Sequence, residues 1–261
     1  MTMSMTAPKG LTPYLNWFAD FTAPYLDTGD SRVVLKRDHT LRVFDNALRI
    51  TPNLALEPHL EFLTHLAALF HDVGRFPQYA RFRSFDDRVA GNHGYAGVRL
   101  LRQSPVLAGL TGAARRTVLA AVGLHNRRDL PPKLPPEVDV AVRVVRDADK
   151  LDIFQVMLAH FAPGAPHDSV INLGLTPHTD RYTPAILARV QARRLADYSR
   201  MVWVNDFKLL LCSWIYDLNF PSSRRLLRQR GHLDRLLSYL PQTPEFTALG
   251  RQLQYDLINS D

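Results

Sequence analysis

The sequence predicts an all-α fold, and three observations carry that reading. Apolar residues recur at three- and four-residue steps through most segments. No pair of alternating runs is joined by an Asn-Gly type turn. Proline and glycine punctuate the chain between the periodic stretches. Taken in order, the periodicity predicts helices over 13–26, then 32–51 closed by Pro52-Asn53, then 58–73 closed before Pro77. Gly91 precedes a helix over 92–104, and another follows over 111–126. Pro131-Pro132 and Pro135-Pro136 separate that one from a long helix over 137–160. The stretch from Pro163 to Pro184 holds Gly164, Pro166, Gly174 and Pro177, and reads as a loop that wraps the surface or covers a site. Amphipathic helices over 184–197, 204–218, 222–239 and 244–258 complete the chain, with Trp203, Phe207, Trp214, Tyr216 and Phe220 placed for packing. The expected organisation is a helical segment 1–31, a core 32–160, a loop 161–184 and a C-terminal extension 185–261 packed on the core as a single compact unit.

A chain of 261 residues with 46% hydrophobic and 22% charged residues buries a full core, which argues against disorder. Its one cysteine, Cys212, excludes an intramolecular disulfide and a thiolate zinc finger, so any metal must be held by His, Asp or Glu. A reducing, cytoplasmic setting is the natural expectation. Residues 1–10 lack the apolar core of a signal peptide, and the longest apolar run, Leu209 to Tyr216, is too short to span a bilayer. The net charge of +7 is spread along the chain and not gathered in a basic arm, which favours solvated helix faces over a groove for a nucleic-acid polymer.

The pair His71-Asp72 stands apart. It closes the apolar stretch Leu60 to Phe70, and a carboxylate is seldom set at such a helix end without a partner. A divalent cation is such a partner, since imidazole and carboxylate are donors that borderline metals accept together. Helical phase selects further ligands. His39 continues the stripe Leu35, Val43, Ala47 and Ile50, and Asp149 continues Val138, Val142 and Val145, so both point inward. Asp147, about 200° around the wheel from Asp149, is expected to face outward or to cap a neighbour. His93 shares a face with Gly97 and Leu100, and His125 ends the stripe Val118 and Ala121. Four imidazoles and two carboxylates result, enough for two metals sharing a bridge.

These segments, Lys36 to Val43, Ala67 to Arg75 and Arg146 to Asp152, resemble the signature of the HD-domain metal-dependent phosphohydrolase superfamily over about residues 32–160. That signature is a His, then a His-Asp pair, then a distal Asp before a basic residue, here Asp149 before Lys150. His93 and His125 occupy the places of the two further histidines of the binuclear branch. The cyclic-dinucleotide phosphodiesterases of that branch carry a His-His pair and a Gly-Tyr-Pro motif; His125 is followed by Asn126 and no such motif exists, so that activity is not implied.

The resemblance implies one or two divalent transition-metal ions, with Fe, Mn, Zn and Ni all compatible, held by His39, His71, Asp72, His93, His125 and Asp149, with Asp72 as the bridge. Such ions activate water against a phosphate ester. Lys150 and Arg75 adjoin ligands and are the expected phosphate-facing cations, with Arg127, Arg128 and Lys36 behind them. Asp152 is expected to orient an imidazole or Lys150, and His65 to support the site or pack beside it. The expected substrate is a phosphorylated small molecule or nucleotide; a homo-oligomer is compatible with the sequence. Two other readings stay open. One is a di-iron oxygenase of the same superfamily acting on a polyol or phosphonate; the other is a nucleotide-binding sensor without turnover.

Overall fold

The computed structural model describes residues 10–162, 164–166 and 168–259; the segment 1–9, Pro163, His167 and residues 260–261 lie outside the described residues. It is helical, and among the described residues its one strand-like pairing is an isolated bridge between Thr176 and Trp203. The helices are α1 (Thr12–Leu26), α2 (Ser31–Ile50), α3 (Pro58–Phe70), α4 (Arg75–Phe82), α5 (Asp87–Ala90), α6 (His93–Gln103), α7 (Gly112–Leu124) and α8 (Pro136–His160). After them come α9 (Pro184–Gln191), α10 (Val204–Ser213), α11 (Pro221–Gln229), α12 (His232–Ser238) and α13 (Pro244–Asn259). Two compact units result, Met1–Ala148 and Asp149–Asp261, and the division falls inside α8, not at the 161–184 segment.

In the first unit α3 is the central element. Leu66, Ala67, Ala68, Leu69 and Phe70 are all fully buried, as a helix apolar on every side must be. It packs against α2 and α7, and α6 packs against α7. Trp17 of α1 meets Phe70 edge-on at 5.3 Å, while Phe18 and Phe21 meet Phe76 of α4 at 6.0 and 5.8 Å. Burial of each such large side chain contributes about 1.5–3 kcal/mol. Local chemistry sets the starts of the helices. The Asp30 carboxylate accepts from Arg32 N at α2, Asn92 from Tyr95 N at α6, and Thr111 from Ala114 N at α7.

Several helix limits differ from the periodicity. Pro77 does not break the chain but sits in the first turn of α4, where its missing N–H leaves no helical bond unmade. The third helix stops at Phe70, and His71 to Gly74 form the turn into α4. The expected helix 222–239 is two, α11 and α12, parted by Gly231 at φ +61°. The expected helix 204–218 ends at Ser213 and continues as a 3₁₀ turn over Trp214–Asp217, and α9 ends at Gln191.

In the second unit the rest of α8 buries Leu151, Phe154, Met157 and Leu158. Here α9 packs on α10 and α12 on α13. Asp206, fully buried at the start of α10, accepts from Thr183 N and Oγ1, Val202 N and Trp203 N at 2.6–3.0 Å. Asn205 beside it donates to the carbonyls of His178, Thr179 and Arg181. With the Thr176–Trp203 bridge, these two side chains hold the approach to α9 and the turn before α10.

Candidate metal centre

Five of the six expected ligands belong to the first unit, and there the structure brings them together. His39 comes from the middle of α2, on the face whose Val43, Ala47 and Ile50 are fully buried. His71 and Asp72 come from the α3–α4 turn, His93 from the first position of α6, and His125 from the residue that caps α7. All five are buried.

Asp72 divides the imidazoles between its two oxygens. Its Oδ2 lies 3.5 Å from His39 Nε2 and 3.7 Å from His71 Nε2. Its Oδ1 lies 3.3 Å from His93 Nε2 and 3.9 Å from His125 Nε2. Two three-residue groups capable of holding an ion share this carboxylate: His39, His71 and Asp72, and Asp72, His93 and His125. Burial alone would keep Asp72 protonated, but the charged surroundings, led by the Lys36 ammonium and including the Arg75 guanidinium, outweigh it and hold the carboxyl well below its ordinary range.

The backbone selects which ring nitrogen faces inward. His71 Nδ1 is 2.8 Å from Ala68 O, and His125 Nδ1 is 2.7 Å from Val122 O. A carbonyl only accepts, so both rings carry a proton on Nδ1, and Nε2 is the nitrogen left to face the carboxylate and to serve as ligand in the neutral ring. His93 does the same through Asp87, whose oxygens lie 2.7 and 2.9 Å from its Nδ1. Burial and Arg75 push the His93 pKa down to about 4, against the pull of Asp87 and Asp72, so the ring is neutral at pH 7. His93 Nε2 and His125 Nε2 stand 3.0 Å apart. Both face the same carboxylate oxygen, so the three atoms converge on one point. The donor set therefore fits a borderline divalent metal.

The cations fall differently from the sequence expectation. Lys36, one turn before His39, places Nζ 2.8 Å from Asp72 Oδ2 and 5.4 Å from the centre of the Phe85 ring. Arg75 turns its Nε toward Asp72 Oδ1 at 3.7 Å, while its Nη1 is bound to Gln78 Oε1, Phe85 O and Asp87 Oδ1 at 2.5–2.8 Å. Lys150, expected beside the phosphate, is instead bound within the second unit to the Asp217 carboxylate at 2.6 Å and its carbonyl at 3.1 Å. Arg127 is exposed and donates to the Tyr95 hydroxyl at 2.5 Å. The Arg128 carbonyl, with those of His125 and Arg127, accepts from Arg146, which fastens the end of α7 that carries His125.

Asp147 is fully buried, which overturns its expected outward placement, and Asp149 is half-buried. The wheel misjudged Asp147 because this turn of α8 is enclosed on more than one side: Val144, Val145 and Ala148 are also fully buried. Ala148 O accepts from Asn46 Nδ2 of α2 at 2.9 Å. Asp152 is buried in the second unit close enough to His232 to raise its pKa. His65 is buried with Nε2 2.8 Å from Thr51 Oγ1 and its ring against Phe44, so it serves the packing of α2 on α3. Asp87, Gln78 and Asn126 were not singled out by the sequence. Asp87 lies six residues before His93 with Gly91 at φ +79° between, and helical spacing carries no signal across such a turn.

Residues 37–153 match the family model of the HD domain, an all-α fold, as this stretch of the chain is. HD domains bind divalent metals, and the family generally comprises metal-dependent phosphohydrolases. No curated protein and no solved structure gives a match. No helix among the described residues is long and apolar enough to cross a membrane.

Proposed function

We propose that the protein is a metal-dependent phosphohydrolase that cleaves a phosphomonoester or a nucleotide phosphate. The observation that carries this reading is the division of four imidazoles between the two oxygens of Asp72. His39 and His71 with Oδ2, and His93 and His125 with Oδ1, are the residues that would each hold a divalent ion. Asp149 is the sixth proposed ligand; its place rests on the order of the motifs and the stripe Val138, Val142 and Val145. Such ions would supply positive charge against a phosphoryl oxygen and a water acidic enough to attack phosphorus near pH 7.

The chain's own residues do the rest. Lys36, on the rim with about a fifth of its side chain exposed, is the proposed ligand of a substrate oxygen, where an ammonium offers three movable donors. Arg75 contributes charge beside Asp72 but, being tied to Asp87, it holds position and does not travel with the substrate. Burial of the five ligands lowers the local dielectric and strengthens every one of these interactions. The richness in imidazole also suits iron, which favours the oxygenase as the second reading.

The test is an anaerobic screen of phosphomonoesters and nucleotides with protein of measured metal content. We expect metal-dependent phosphate release that is lost in His71→Ala. No phosphate release in that screen, with oxygen uptake on a polyol or phosphonate in a parallel aerobic assay, would overturn the hydrolase in favour of the oxygenase.

A further inference from the structure

We infer that Asp87 is a positioning residue that fixes the His93 ring with Nε2 inward and so sets the affinity of the ion held by His93 and His125. This rests on the reading of those two residues as metal ligands. Asp87 opens α5, a single turn whose start is fixed by the Asp86 side chain accepting from Arg88 N. Its carboxylate receives four different side chains. His93 Nδ1 lies 2.7 Å from Oδ2, Asn126 Nδ2 donates to Oδ2 at 3.0 Å, and Arg75 Nη1 and Gln78 Nε2 donate to Oδ1 at 2.8 and 3.0 Å. Gln78 also donates to Gly91 O at 2.7 Å, closing the segment back on α4.

The choice of partners is what points to the metal centre. Arg75 follows the His71-Asp72 turn, Asn126 directly follows His125, and His93 is itself a ligand, so one carboxylate joins the local chain of four of the five ligands. His39 is the one it does not reach. His71 and His125 have their tautomer set by carbonyls of their own helices; His93, at the first position of α6, has no carbonyl one turn behind it in its own helix and takes its acceptor from α5. A carboxylate behind an imidazole also raises its basicity as a ligand, which a carbonyl does less strongly. The asymmetry predicts that loss of Asp87 acts on one ion and spares the other.

The experiment uses the full chain, loaded with Mn²⁺ or Zn²⁺ and analysed for metal per chain, beside ¹⁵N spectra of the histidine rings in metal-free protein. In Asp87→Ala we expect the second ion to bind about 10–100-fold more weakly while the first is retained. The His93 ring should lose its fixed Nδ1–H form in the metal-free protein. Asp87→Glu should restore part of both, and Asp87→Asn, close in shape, serves if the alanine variant does not fold. Wild-type occupancy of both ions with an unchanged His93 tautomer would overturn the inference. A wild-type protein that takes up a single ion would instead count against the two-ion reading, and the tautomer measurement would still decide the role of Asp87.

Discussion

The buried polar groups of the two units are arranged on opposite plans. Around Asp206 in the second unit, every contact pairs a donor with an acceptor, and four N–H and O–H groups end on one carboxylate. Around Asp72 in the first unit, four imidazoles turn Nε2 toward one carboxylate, and two of those nitrogens stand against each other. The first plan completes a fold. The second leaves chemistry to be completed by something positively charged, and Lys36 supplies only one such charge, at one oxygen.

Paired substitutions sharpen the contrast. Asp72→Ala should abolish metal retention and lower activity by about 10²–10³-fold or more, with helical content by circular dichroism nearly unchanged. Asp206→Ala should do the reverse, lowering stability by about 3 kcal/mol in denaturant titrations while metal per chain stays at the wild-type value. Loss of metal in the second variant, or intact metal in the first, would erase the distinction. Next in size, Asp149→Asn should weaken metal binding about tenfold or more. Asp147→Asn, altering a fully buried side chain, should act on stability and leave metal content alone; equal metal loss in both would remove Asp149 from the ligand set.

The smallest expected effect concerns pH. Burial, with Arg230 and Arg235, lowers the His232 pKa from its ordinary 6.5 to about 4 against the opposing pull of Asp152. The unfolded chain takes up this proton near pH 6.5 and the folded chain only near pH 4. Stability is therefore full above pH 6.5 and declines as pH falls toward 4. In His232→Gln that part of the decline should vanish from the difference between the two denaturation profiles.

The sequence made the buried cluster around Asp72 legible wherever a residue sat on a regular helix. His39 announces itself through Val43 and Ala47 because an unbroken α2 carries the three-and-four rhythm from the core to the site. Asp147 shows the limit of that reasoning: a wheel has one inside only when a helix has one neighbour, and this turn of α8 is enclosed more widely. Asp87 and Gln78 were beyond reach for another reason. Asp87 meets His93 across the turn at Gly91, and Gln78 meets Asp87 across the turn at Arg83, both at positive φ, where spacing along the chain says nothing of distance in space. The basic residues were misplaced by the same cause, since adjacency to a ligand does not tell which carboxylate a flexible ammonium finds. Lys150 found Asp217.

Gly74 lies in the turn between Asp72 and α4. A β-carbon there would stand 2.2 Å from His93 O and 2.6 Å from Gly97 N. Those are backbone atoms of α6, so no rotamer change relieves the overlap. A relative that preserved every histidine and aspartate but carried any side chain at this position would hold an apparently complete set of ligands with its halves wedged apart. For sorting related chains by whether they can assemble this cluster, this one hydrogen-bearing position is as diagnostic as the histidines and aspartate themselves.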